Sequence, residues 1–422
     1  MPSLRGMRIL LVSYFFPPAQ NVASERWGRF SSELKRKGHD VEVICGPWAR
    51  DPSHGGDNTV AVHYLADPLS ADATLVKPGS NGRGSPSSRW RRLLTTMLPT
   101  FLFIDGKWLW GINALRCLGK LGHAPGDLVV VTGTPWSAVA LVSLYCRLRG
   151  RPYAVDFRDL WSNEPFLETF RSTASRLYFT LLERFALRNA RFVITVNERL
   201  ASHFRAVRGN SRVLIMPHGF SGELMGDSRG FNITANHDPI IFYAGSIASH
   251  HGMDEFLKVA VDCGVTAHLR FRGRDYKNIL ERHGLSSEPD VSGPALDEEL
   301  HKAAVLLLTL APSSSHYTTG KLMSYIKACR PILYFGPVDS PAAALIRDHG
   351  IGWVVDNTQP EGLAAVLKDV TGKILRKEPF SLRPELDGLR RFSTDQLVEA
   401  LEKELTHDRL ATTWDIPSNS RT

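Results

Sequence analysis

At 422 residues, with 43% hydrophobic and 22% charged residues, the chain is long enough for two domains that each bury a core. No apolar run reaches roughly eighteen residues, which argues against a membrane-spanning helix. Five scattered cysteines without a Cys-x-x-Cys pair argue against a zinc site or disulfide framework and fit reduced thiols in the cytoplasm. The net charge of +8 is unevenly placed: residues 1–210 carry 28 Lys+Arg against 16 Asp+Glu, and residues 211–422 carry 23 against 27.

The opening residues lack a charged-then-apolar leader, so no signal peptide is expected. Residues 8–13 read as a buried first strand. The loop Phe15-Phe16-Pro17-Pro18-Ala19-Gln20-Asn21 then leads into a helix on which Trp27, Phe30 and Leu34 share a face, with Gly38 at its end. Asn21, Ser24 and Arg26 sit where loop meets helix, a place for a phosphate or sugar because helix N-termini expose unpaired N–H groups. A strand follows at residues 40–45, then a Gly/Pro/Ser-rich stretch over 46–88 with one strand at 60–65. From Ala73 to Ile104 there is no acidic residue, while Lys77, Arg83, Arg89, Arg91 and Arg92 lie among Trp90, Leu93, Leu94, Phe101 and Phe103. That mixture suits either an anionic membrane surface or an insertion with solvated arginines. Nucleic acid is not expected, since no recognition motif accompanies the charge.

Strands are predicted at 128–132, 153–157, 192–196 and 213–216, with helices at 136–148 and 174–190 between them. Polar residues 221–238 read as a linker. The second half repeats the grammar with strands at 240–243, 269–272, 304–310, 332–335 and 353–355, and a terminal helix at 397–405. Apolar runs alternating with amphipathic helices indicate parallel sheets covered on both faces. The expected fold class is α/β: two doubly wound Rossmann-like domains facing across a cleft, the terminal helix packing back toward the first. The boundaries drawn are 1–222, a linker at 223–238, 239–390, and 391–422 for the helix and tail.

Several motifs in order resemble one family. Residues 8–18 followed by Gly38-His39-Asp40-Val41, then Asp156-Phe157-Arg158-Asp159-Leu160-Trp161, Met216-Pro217-His218-Gly219-Phe220 and Lys321-Leu322-Met323-Ser324-Tyr325 through Arg330-Pro331, are similar to GT-B glycosyltransferases of the GT4-like group. The resemblance runs from about residue 7 to 405. It implies a nucleotide-diphosphate sugar donor, retention of anomeric configuration, and no metal or other cofactor. No Asp-x-Asp motif occurs.

What the resemblance implies can be assigned residue by residue. Lys321, after Thr319 and Gly320 at a helix start, is either a diphosphate contact or a surface lysine on a buried helix. Gly245, Ser246 and His251 follow the second half's first strand. Relatives often carry arginine and lysine at the positions of Ser246 and His251, so here backbone amides and a histidine would hold the phosphates, or the stretch is a glycine turn with exposed histidines. Gly293 would contribute a backbone contact to the nucleobase. Two glutamates of the family are replaced by His316 and Ser324, which marks a divergent branch, an unusual donor or an impaired enzyme. In the first half, Asp159 would orient or deprotonate the acceptor and Arg158 would pair with it or hold an acceptor phosphate; alternatively the two form a structural pair bracing Trp161. Asn21 and Arg26 would touch donor phosphate or acceptor.

The expected function is a cytoplasmic glycosyltransferase of polysaccharide or lipopolysaccharide assembly. It would act on a glycan or lipid-linked acceptor, with an anionic inner-leaflet surface as a further partner. A nucleotide-sugar epimerase of the same architecture and a non-catalytic scaffold stand as alternatives.

Overall fold

The apolar runs become the strands of two sheets in the computed structural model, which describes residues 6–19, 21–48, 60–68, 105–161, 173–208, 212–226, 231, 237–248, 251–314 and 319–413. His316 and the basic segment at 83–103 lie outside these residues. One unit comprises Met1–Met216 with Val398–Thr422, the other Pro217–Leu397.

In the first unit, β1 (Arg8–Val12), β2 (Asp40–Cys45), β3 (Ala61–Tyr64), β4 (Leu128–Thr132), β5 (Tyr153–Phe157), β6 (Val193–Thr195) and β7 (Val213–Ile215) run in the order β3-β2-β1-β4-β5-β6-β7. All pairings are parallel. Both β4 and β5 are buried at every position, which requires cover on both faces of the sheet. The helices are α1 (Val22–Arg36), α2 (Trp108–Leu121), α3 (Trp136–Leu148), α4 (Thr173–Asn189) and α5 (Glu198–Arg208). Strand order reverses between β1 and β4, where the Thr132 hydroxyl donates to Ser13 Oγ at 3.1 Å.

The second unit holds β8 (Asp238–Ala244), β9 (Leu269–Arg272), β10 (Ala303–Thr309), β11 (Ile332–Gly336) and β12 (Gly352–Asp356), in the order β12-β11-β10-β8-β9 and again all parallel. Its helices are α6 (Met253–Asp262), α7 (Pro294–Lys302), α8 (Gly320–Ala328), α9 (Pro341–Asp348) and α10 (Pro360–Arg376). Here the order reverses between β8 and β10. In open parallel sheets the crevice outside the carboxyl ends at such a reversal is where ligands bind.

Residues 217–222, expected to close the first domain, belong with the linker stretch to the second unit. Phe220 N–H donates to the Phe392 carbonyl at 3.1 Å, Thr394 N–H donates to the Phe220 carbonyl at 2.8 Å, and Met225 N–H donates to the Lys327 carbonyl at 2.9 Å. The last helix, α11 (Thr394–Thr413), is longer than the sequence pattern suggests. Its residues from Val398 onward join the first unit, where Glu402 meets His39 at 3.1 Å and Lys37 at 3.2 Å, and Glu404 meets Arg212 at 2.5 Å. The expected return of this helix to the first domain therefore holds. Among the described residues no helix is long and apolar enough to cross a membrane.

Candidate active site

At the reversal point of the second sheet, β8 ends at Ala244 and the chain turns at Gly245 with φ +122°, a conformation L side chains rarely adopt. A Cβ on Gly245 would fall 2.5 Å from Lys321 Cε, so the glycine lets the lysine lie against the turn. Lys321, in the first turn of α8, donates to the Tyr243 hydroxyl and to the Ser246 carbonyl at 3.2 Å, and its ammonium sits 4.3 Å from the centre of the Tyr243 ring. The Tyr243 hydroxyl in turn donates to the Ser246 carbonyl at 2.8 Å and lies 3.4 Å from His251 Nδ1. Tyr325, one turn further along α8, accepts the Ala244 N–H on its hydroxyl at 3.1 Å, locking helix to strand end.

The electrostatics follow from this packing. Burial lowers the Lys321 pKa to about 7 and raises that of Tyr243 well above its ordinary value, with Tyr325 adding to the latter. Among the described residues Lys321 has no acidic partner. Thr319 is the N-cap of α8, but its side chain makes no capping bond and its buried hydroxyl has no partner among the described residues. The Thr319 side chain therefore caps none of the first N–H groups of α8, of which that of Leu322 donates to the Thr319 carbonyl at 3.2 Å. Two further buried atoms without partners belong to the carboxyl-end loops of this sheet: the Thr309 hydroxyl at the end of β10, and Oδ1 of Asn357, whose Nδ2 donates to the Leu310 carbonyl at 3.0 Å. A part-buried cation at a helix N-terminus, with no acidic partner among the described residues, is chemistry suited to an anion.

The structure thus brings Gly245, Ser246, His251, Thr319, Gly320 and Lys321 together. Ser324 follows Lys321 by three residues on α8. Gly293, with φ +65°, is the N-cap of α7, three residues beyond Asp290; that aspartate's Oδ1 lies 3.0 Å from where a Cβ on Gly273 would stand, beside the Gly245 carbonyl. Arg330, from the same sequence stretch as Lys321, lies at the other end of the sheet, where it holds the Ala303 and Ala304 carbonyls and contacts His237 at 2.9 Å. Tyr243 is not singled out by the sequence because a tyrosine in an apolar strand has the signature of core; its place two residues before the strand-end glycine is the available signal.

The first unit corrects two expectations. Arg26, expected as a phosphate or acceptor contact, is wholly buried, donating to Asp156 Oδ1 at 3.1 Å and the Met216 carbonyl at 2.5 Å, with its guanidinium 4.8 Å from the Phe30 ring centre. It is a structural cation, because an arginine this deep survives only when paired. Asn21 is the N-cap of α1, its side-chain oxygen accepting the Ser24 N–H at 2.9 Å, so that oxygen is already used. Arg158 donates to the Gly133 carbonyl at 2.8 Å across the β4–β5 carboxyl edge, and among the described residues this is the side-chain bond it makes. Its buried Nε has no partner. Asp159 is part-exposed beyond the end of β5. Trp161 stacks on Trp136 with centroids 5.2 Å apart and is fully buried, and Trp110 donates to the Cys45 carbonyl at 3.1 Å in the core.

Gly245→Ala is expected to displace Lys321 and weaken anion binding by about tenfold or more, the worth of one hydrogen bond to a charged group; titration calorimetry with a nucleoside diphosphate measures it.

The chain is similar over 97% of its length to 99% of sucrose-phosphate synthase from Thermosynechococcus elongatus, with TM-score 0.58 and 12% identity. It is also similar over 94% of its length to 99% of a variant of S. aureus TarM in complex with fondaparinux, alpha-GlcNAc-glycerol and UDP, with TM-score 0.58 and 9% identity. HepE from Anabaena, in complex with UDP-glucose, matches over 95% of this chain and 100% of its own, with TM-score 0.58 and 11% identity. No curated protein matches the chain at a significant level. The two Rossmann-like units and the likeness to these structures show the GT-B fold. Residues 23–219 match the glycosyl transferase 4-like domain.

Proposed function

We propose that the second unit binds a nucleotide-diphosphate sugar and that the first serves a glycan or lipid-linked acceptor in polysaccharide or lipopolysaccharide assembly, with retention of anomeric configuration. The observation that carries the donor side is the Lys321 ammonium, without an acidic partner among the described residues, at the β8/β10 reversal beside the uncapped start of α8. In transfer the bond from the sugar's anomeric carbon to the diphosphate oxygen breaks, the electron pair leaves with the nucleotide diphosphate, and the acceptor oxygen takes its place on that carbon. The charge that grows on the leaving group needs preorganised donors, and Lys321 with the α8 amides supplies them. His251 adds a donor beside the ammonium. Asp159 is the carboxylate proposed to orient the acceptor hydroxyl or take its proton, with Arg158 holding the loop edge next to it.

Crystallised relatives support a uridine nucleotide as the first ligand to test, since TarM and HepE were solved with UDP or UDP-glucose. A thermal-shift panel of UDP-, GDP- and dTDP-sugars is expected to show stabilisation by one nucleotide class; at about 100-fold excess over Kd the gain is about 2.7 kcal/mol. No shift with any donor would sink the reading and favour the scaffold. Isomerisation of the donor without an acceptor would favour the epimerase.

A further inference from the structure

On one side of the first sheet, α3 and α4 carry a face that the donor chemistry does not use. Leu144 and Leu148 stand four residues apart on α3, 45% and 76% exposed, and Leu177 and Leu181 four apart on α4, 60% and 53% exposed. Helical spacing puts Arg147 on the α3 stripe and Arg184 and Arg188 on the α4 stripe, all three exposed, with Arg149 exposed just after α3. The opposite faces are core: Val139, Val142 and Cys146 on α3, and Phe179, Ala186 and Leu187 on α4, are fully buried. Arg147 bonds the Asn189 side chain, which joins the two helices at one level and makes the stripes neighbours.

Among the described residues of these helices the exposed charge is one-sided. No Asp or Glu occurs in α3, and the single acidic residue of α4, Glu183, is fully buried. The preceding helix, α2, also contains no acidic residue and adds Arg116 and Lys120. A soluble face in contact with water alone carries mixed charge and few large apolar groups. Here exposed leucines and exposed arginines alternate along the same stripes.

We propose that the α3–α4 face docks on an anionic phospholipid bilayer, the leucines entering the boundary between headgroups and acyl chains and the arginines binding lipid phosphates. A second copy of the chain is a poor occupant, because the same arginines would face each other. A nucleic acid would use the arginines but leave the leucines in water. A bilayer with acidic headgroups takes up both. The inference goes beyond the donor reading and does not depend on it.

The test is co-sedimentation of the full-length protein with phosphatidylcholine vesicles that contain phosphatidylglycerol, beside vesicles of phosphatidylcholine alone. The wild type is expected to partition onto the anionic vesicles only, and to be released by salt. Two variants at exposed positions, Leu148→Ser with Leu181→Ser and Arg149→Glu with Arg184→Glu and Arg188→Glu, should each lower partition by about tenfold or more. Their unchanged melting and unchanged donor-induced thermal shift would separate this face from the donor site. Wild-type partition in both variants, or no binding of the wild type to anionic vesicles, overturns the proposal. So does a change in oligomeric state of the leucine variant without lipid, which would make the face a contact between copies.

Discussion

Lys321→Ala is expected to lower kcat/KM for the nucleotide-sugar donor by about 10²- to 10³-fold, the usual cost of removing one preorganised electrostatic contact to a developing anion. The fold should survive the change. Tyr243 keeps its own hydrogen bond to the Ser246 carbonyl at 2.8 Å, so truncating the lysine strands no buried acceptor. The same lysine predicts a pH dependence. Burial lowers its pKa to about 7 in the empty protein, and a bound diphosphate favours the ammonium form. Below about pH 7 the cation is already present and affinity is at its plateau. Above that value each binding event must capture a proton, and affinity falls by up to about tenfold per pH unit until the bound lysine also titrates. Calorimetry in buffers of different ionisation enthalpy reads the proton uptake directly. A nucleotide-sugar, whose phosphates are both esterified, is the ligand to use, because it brings no titrating group of its own near neutrality. The empty protein should show the opposite trend in stability. An unfolded lysine holds its proton up to its ordinary value of 10.5, so between about 7 and 10.5 the unfolded chain binds more protons and stability rises with pH. A pH-independent donor affinity in the wild type, or wild-type kinetics in the alanine variant, would remove Lys321 from the site.

Much of this arrangement is legible in the amino-acid sequence, and the limits have a physical origin. Strands such as Leu128–Thr132 and Tyr153–Phe157 announce themselves as short apolar runs because both faces of a parallel sheet are buried. The candidate anion site is legible in outline, since a strand-end glycine and a lysine opening a helix are local features that need no partner to be noticed. Its second layer is hidden: Tyr243 supports Lys321 from 78 positions away, and nothing local distinguishes it from core. The helix Trp108–Leu121 goes unpredicted because it opens without a capping side chain, the cue that marks helix starts in sequence. Arg26 misleads for the same reason of distance. An arginine near the start of a helix after a Pro-Pro loop looks like a phosphate ligand, and only the fold reveals that its partner, Asp156, lies 130 residues on. Asn21 also has two readings, and its cap to Ser24 is the more local one.

The second large effect concerns that buried pair. Asp156→Ala is expected to destabilise the first unit by about 3–5 kcal/mol, the cost of removing one partner of a buried ion pair. Asp156 is fully buried and holds two donors at once, Arg26 Nη2 at 3.1 Å and Trp27 Nε1 at 2.6 Å. Without it the Arg26 guanidinium keeps only the Met216 carbonyl and the Phe30 ring among these contacts, and although desolvation lowers its pKa, a guanidinium does not shed its proton. The network clamps α1, the end of β5 and the residue after β7 to one another, so its loss also loosens the edge that carries Arg158 and Asp159. The control is the apolar double replacement, Arg26→Met with Asp156→Leu, because removing both charges of a buried pair is often neutral. It should recover most of the loss, short of about 1–3 kcal/mol for the Trp27 indole N–H left without an acceptor. Urea unfolding followed by tryptophan fluorescence measures all three proteins, with each unit's transition fitted separately because two units need not unfold together. If the single variant loses less than about 1 kcal/mol, the charge is not truly desolvated, and Arg26 returns as a candidate ligand-binding cation.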